Sequence, residues 1–111
     1  MVQELVMSDI EALVYRWLIQ RKIPFESQVS VRGGVFELGG SRVDFILENM
    51  IALRVAGEYW HRGVEKTGSD IIQKEMLSEM GYTVVDLRAD DILNNLEQTM
   101  RLALLGEESL Q

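Results

Sequence analysis

Residues 42–61 read RVDFILENMIALRVAGEYWH, and the parsing of this stretch decides the fold. Val43, Phe45 and Leu47 alternate with Arg42, Asp44 and Ile46, the period-two pattern of a strand whose two faces differ. Glu48-Asn49 is a turn signal. From Met50 to Glu58 a second strand follows, with Ile51, Leu53 and Val55 on one face and Ala52, Arg54, Ala56 and Glu58 on the other. Apolar residues on both faces place it in the interior of a sheet. The alternation gives the two strands one polar face that reads Asp44, Arg54, Ala56, Glu58.

The flanking segments supply the layers around this pair. Ile10, Leu13, Val14, Trp17 and Leu18 recur at helical spacing, which predicts a helix over 8–22. Ser8 and Glu11 have the spacing of a capping box, and Pro24 stops the helix. Alternation from Phe25 to Val31 predicts a strand, and Gly33-Gly34 and Gly39-Gly40 bracket a brief one over 35–38. Beyond a polar loop, a helix is expected over 69–80 with Ile72, Met76, Leu77 and Met80 turned inward. Gly81 ends it, and Tyr82 to Leu87 reads as a strand. Asp90 then caps a last helix reaching about Leu105, with Ile92, Leu93, Leu96, Met100 and Leu104 on one side. The fold class is therefore α/β (α+β, with a mixed sheet). The order is helix, three or four strands, helix, strand, helix, with a core of α-β-β-β-α-β-α and helices packed on the sheet.

The chain has 111 residues, 47% hydrophobic and 26% charged, which fits one globular domain over 1–111. There is no cysteine and only one histidine, so thiolate chemistry and a multi-histidine metal site within one chain are excluded. No apolar run has the length of a membrane span, and the acidic start MVQELVMSDIE lacks a signal-peptide layout, so a cytoplasmic protein without a membrane partner is expected. The net charge of −7 argues against broad nonspecific binding to DNA. That charge is concentrated beyond residue 74, where acids are opposed only by Arg88 and Arg101.

Val43-Asp44-Phe45, Gly57-Glu58-Tyr59-Trp60-His61, and Asp70 with Gln73-Lys74, Leu77, Gly81 and Tyr82 together carry a resemblance. In these residues and in element order, the chain resembles the PD-(D/E)xK, restriction-endonuclease-like superfamily. The likeness is strongest to very-short-patch repair endonucleases and Holliday-junction resolvases, over about residues 8–88. It implies a restriction-endonuclease-like core and a metal-dependent endonuclease that hydrolyses DNA phosphodiesters, on duplex or branched DNA, in repair or junction resolution. Asp44 takes the place of the strand aspartate that binds Mg²⁺ (Mn²⁺ is an alternative). Glu11 takes that of a first-helix glutamate, and His61 that of the histidine near the scissile phosphate. The chemistry suits Mg²⁺, a hard ion that keeps several waters and needs only one or two protein carboxylates.

The chain departs from the family at the (D/E)-x-K positions, which hold Arg54 and Ala56. Repair endonucleases carry a histidine where Ala56 stands. Glu58 is a candidate for the missing metal carboxylate and Lys74 for a migrated cation. Arg54 is read as a phosphate clamp, a partner for Asp44, or both. Each residue also has a plainer role: Asp44 as a strand polar residue, Glu11 as a cap, His61 as packing, Lys74 as a solvated helix residue. The departure leaves a second function class open, a catalytically inactive nuclease-like module that binds DNA or a protein. A third class is an interaction protein that forms a homodimer through the last helix, an arrangement that also suits a two-fold enzyme.

Overall fold

The structure, a computed structural model, describes residues 9–56 and 68–108. Helix α1 (Asp9–Gln20) buries Val14, Trp17 and Leu18, the stripe its spacing predicts. It ends where Lys22 turns to φ 58° and the Ile23 N–H bonds the Leu18 carbonyl, just before Pro24. Among the described residues six strands follow in chain order: β1 (Phe25–Ser27), β2 (Glu37–Leu38), β3 (Ser41–Arg42), β4 (Phe45–Leu47), β5 (Ile51–Ala56) and, beyond helix α2 (Gly68–Glu79), β6 (Thr83–Arg88). Helices α3 (Ala89–Asn94) and α4 (Leu96–Leu104) close the fold.

The main sheet runs β1-β4-β5-β6, with β4 antiparallel to β1 and β5, and β6 parallel to β5. It is a mixed sheet with helices on both faces, and the apolar β5 is internal as expected. On one face Phe45, Leu47, Ile51, Leu53, Val85 and Leu87 pack against α1, α3 and α4. On the other, Ile46, Ala52 and Val84 pack against Leu77 of α2 and against Val29 and Val43. The β2–β3 ribbon lies on this second side. Its turn approaches α2 so closely that a Cβ on Gly39, at φ +57°, would stand 2.8 Å from the Ser69 Cβ.

Four expectations need correction. The strand predicted over 25–31 stops at Ser27, because Gln28 adopts φ 58° and a 3-10 turn (Val29–Arg32) follows. Val43 does not share a face with Phe45 and Leu47; it joins Ile46 in the opposite cluster. On α2 the inward residues are Gln73 and Leu77, while Ile72, Met76 and Met80 are exposed. The helix is thus turned by roughly one residue, about 100°, from the apolar pattern, because Gln73 finds three hydrogen-bond partners inside. The last helix is two helices that break at Asn95 (φ −146°, ψ 53°), and Asp90 lies inside the first turn rather than at its cap.

Candidate active site

The geometry around Asp44 starts from an irregularity in the sheet. Phe45 is the register partner of Leu53, yet the Asp44 N–H also bonds the Leu53 carbonyl at 2.9 Å. Two successive residues of one strand thus face a single residue of the other, the signature of a β-bulge, a device that re-aims a side chain. The bulge accounts for Val43 changing faces. It also directs the Asp44 carboxylate toward α1, where its Oδ2 accepts a 2.7 Å hydrogen bond from the Val55 N–H. This oxygen serves Val55 as the acceptor that a continued strand would have provided.

Glu11 reaches the same place from α1. It lies on the helix stripe that carries Val14 and Leu18, so packing of that stripe on the sheet brings it inward, and it is buried. Its carboxyl group hydrogen-bonds Asp44. The Arg42 Nη2 joins both acids, at 3.0 Å from Glu11 Oε2 and 3.3 Å from Asp44 Oδ1. The Asp44 carboxyl is pushed up from an ordinary value of 3.8 to about 8. Burial is the largest cause, with the hydrogen bond and charge of Glu11 adding to it; the Val55 N–H and Arg42 oppose the shift. Asp44 therefore keeps its proton through the neutral range, beside the Glu11 carboxyl group.

The pair fits a hard divalent ion. Among the described residues no group of three acid or histidine side chains forms a larger cluster. Mg²⁺, however, commonly takes one or two protein carboxylates together with water and substrate phosphate. A divalent ion there would displace the proton of Asp44 and neutralise both carboxylates.

The other candidates fall elsewhere. Arg54 neither pairs with Asp44 nor faces solvent. It lies on the α2 side of β5, buried, with Nε 2.6 Å from Asp86 Oδ1 and Nη2 2.9 Å from Asp86 Oδ2. Its Nη1 donates to Gln73 Oε1 at 3.0 Å. The bulge corrects the reading of one shared polar face: the Asp44 carboxylate points toward α1 and Arg54 toward α2. Lys74 is half-buried on α2, beside Asp70, Ile71, Glu75 and Ser78, and is not brought to Asp44. Glu58 and His61 lie outside the described residues, as does Ser8, the expected capping partner of Glu11. Arg42 was missed as a site residue; the available signal was its position two residues before Asp44, on the same face in the strand pattern.

No family model matches the chain, and no curated protein matches it by sequence. Among solved structures, the catalytic domain of the homing endonuclease I-Bth0305I is similar, with a TM-score of 0.62. The likeness covers 89% of this chain and 96% of that one at 20% identity. At that identity what the two share is a fold, and the fold of this chain is that of an endonuclease catalytic domain.

Proposed function

We propose that this domain is a metal-dependent DNA endonuclease that hydrolyses phosphodiesters of duplex or branched DNA. The observation that carries the reading is the buried Glu11–Asp44 pair, built by a bulge and a helix from separate parts of a fold shared with an endonuclease catalytic domain. In this reading Asp44 and Glu11 hold Mg²⁺, with Mn²⁺ able to replace it, and Glu58 is a further candidate carboxylate. When bound, the ion polarises the scissile phosphate and lowers the pKa of the attacking water. The Val55 N–H orients Asp44, and burial keeps the two carboxylates together. His61 is assigned to the phosphate or leaving group on the resemblance to repair endonucleases. That resemblance also underlies the proposed place in repair or junction resolution and the PD-(D/E)xK assignment, while a cytoplasmic location is proposed from the absence of a signal-peptide layout and a two-fold dimer from the apolar side of the last helix.

The test is incubation of the protein with linear, nicked and four-way-junction DNA in Mg²⁺ or Mn²⁺. We expect cleavage that chelation with EDTA stops and that Asp44→Asn and Glu11→Gln each reduce by about 10²-fold or more, the scale of losing transition-state charge stabilisation. Cleavage unchanged in Asp44→Asn would overturn the reading.

A second reading is favoured by Arg54, which stands at the family's acid position and is held by Asp86 and Gln73 away from the acid pair. In that reading the domain binds DNA or a protein without cutting. Salt-sensitive DNA binding without cleavage under either ion would support it.

A further inference from the structure

We propose that Arg42 is an exchangeable counter-ion that couples nucleic-acid binding to metal binding. In the free protein it holds Glu11 and Asp44; when a DNA phosphate takes the guanidinium, the two carboxylates are released to a divalent ion. The inference rests on the endonuclease reading above and assigns that site a positioning residue and an order of events.

The asymmetry of burial is the first support. The Asp44 side chain is 5% exposed, whereas that of Arg42 is 52% exposed, although the two are in contact. The acids are fixed in the fold, and the cation reaches them from solvent. One nitrogen, Nη2, makes both contacts. A guanidinium has five N–H donors in a planar fork suited to phosphate, and its half-exposed edge stays accessible from outside.

The placement also favours exchange. Arg42 is on the two-residue strand β3, which among the described residues pairs only with the equally short β2 across a Gly39-Gly40 turn. Arg54 offers a contrast. Its guanidinium is buried and held by both oxygens of Asp86, so it has no comparable freedom to leave.

Charge makes the two occupants exclusive. A guanidinium contributes one positive charge to the two carboxylates, and a divalent ion contributes two. An ion between the carboxylates would also stand within a few ångströms of Arg42 and repel it. Drawing Arg42 onto a phosphate removes that repulsion and uncovers the carboxylate oxygens. By linkage, DNA then raises metal affinity and metal raises DNA affinity by the same factor.

Calorimetric titration of Mn²⁺ into the full chain tests this, with and without a short phosphorothioate DNA duplex that resists cleavage. The proteins are wild type, Arg42→Gln, Arg42→Lys and Asp44→Asn, each checked for native circular dichroism. Without DNA, Arg42→Gln is expected to bind Mn²⁺ about tenfold more tightly than wild type, within the usual range of coupling between sites. Duplex should tighten Mn²⁺ binding by wild type and leave Arg42→Gln nearly unchanged, with Arg42→Lys in between. A purely structural arginine would lower metal affinity when replaced. Arg42→Gln and Arg42→Lys binding no more tightly than wild type, while Asp44→Asn abolishes binding, would overturn the exchange and leave the metal site standing. Absence of Mn²⁺ binding in wild type, with and without duplex, would overturn the metal reading and the exchange with it.

Discussion

Asp44 is a carboxyl group placed where ionisation is costly. Its folded pKa of about 8 lies above its ordinary value of 3.8, so between those values the folded chain holds a proton that the unfolded chain has lost. Stability from this group is fully present below the unfolded value and is lost as pH rises toward 8. Asparagine is neutral throughout, can accept the Val55 hydrogen bond through its carbonyl and can donate to Glu11 through its amide. Asp44→Asn should therefore match wild type near pH 4 and exceed it by about 1–3 kcal/mol above pH 8. Each tenfold change in acidity is worth about 1.4 kcal/mol, and the interaction of Asp44 with Glu11 reduces the total. Urea unfolding across that pH range checks this. The same residue shows where sequence reading stopped. Asp44 stood out as an acid within an apolar strand, but strict alternation gave its side chain the wrong neighbours. A bulge depends on which partner residue the strand meets, and local sequence does not specify that.

At the scale of the element, α2 separates apolar pattern from actual burial. Leu77 is wholly buried and Met76 is 40% exposed, though they are adjacent in the chain. Leu77→Ala should cost about 2–5 kcal/mol as a core truncation, and Met76→Ala less than about 0.5 kcal/mol as a surface change. The order would be reversed or level if the pattern of Ile72, Met76 and Met80 set the inward face. Thermal or urea denaturation of the two variants decides between them. The break at Asn95 has a related origin. The Asn95 N–H bonds the Asp91 carbonyl at 2.7 Å, and the Thr99 hydroxyl reaches the same carbonyl at 3.2 Å. This local bonding lets α4 change direction and bury Met100 and Ala103 in the main core. The apolar side considered for self-association is thereby largely used within the chain; Leu93 and Leu105 remain exposed.

At the scale of the molecule, one buried polar network ties the α2 side together. Arg54 of β5 forks onto Asp86 of β6, and Gln73 of α2 accepts from Arg54 while donating to the Val35 and Ser41 carbonyls at 2.8 and 2.9 Å. Ser41 also bonds Asp70. Removing one member leaves a buried charge unmatched. Arg54→Met or Asp86→Leu alone should cost about 3–5 kcal/mol, and the double variant less than either if the pair is a matched desolvated unit. A double-mutant cycle by urea denaturation measures this coupling, and additive losses would refute it.

The sequence by itself determined the mixed helix-and-strand class, the coarse succession of the main elements, the central place of the 51–56 strand, and the two acids Glu11 and Asp44 as candidates. The elements follow from periodicity, Asp44 from an acid conspicuous in an apolar strand, and Glu11 from the family resemblance. Only the tertiary structure decided which candidates meet. Glu11 and Asp44 are 33 positions apart, and they are joined because α1 and the bulge before β4 converge on one face of the sheet. Arg54 is adjacent to Val55, whose N–H holds Asp44, yet its side chain leaves on the other face and closes a structural network. Contact between side chains is set by sheet register, bulge and helix rotation. Each of these is selected by the packing of the whole chain, and none is encoded in the local spacing of residues.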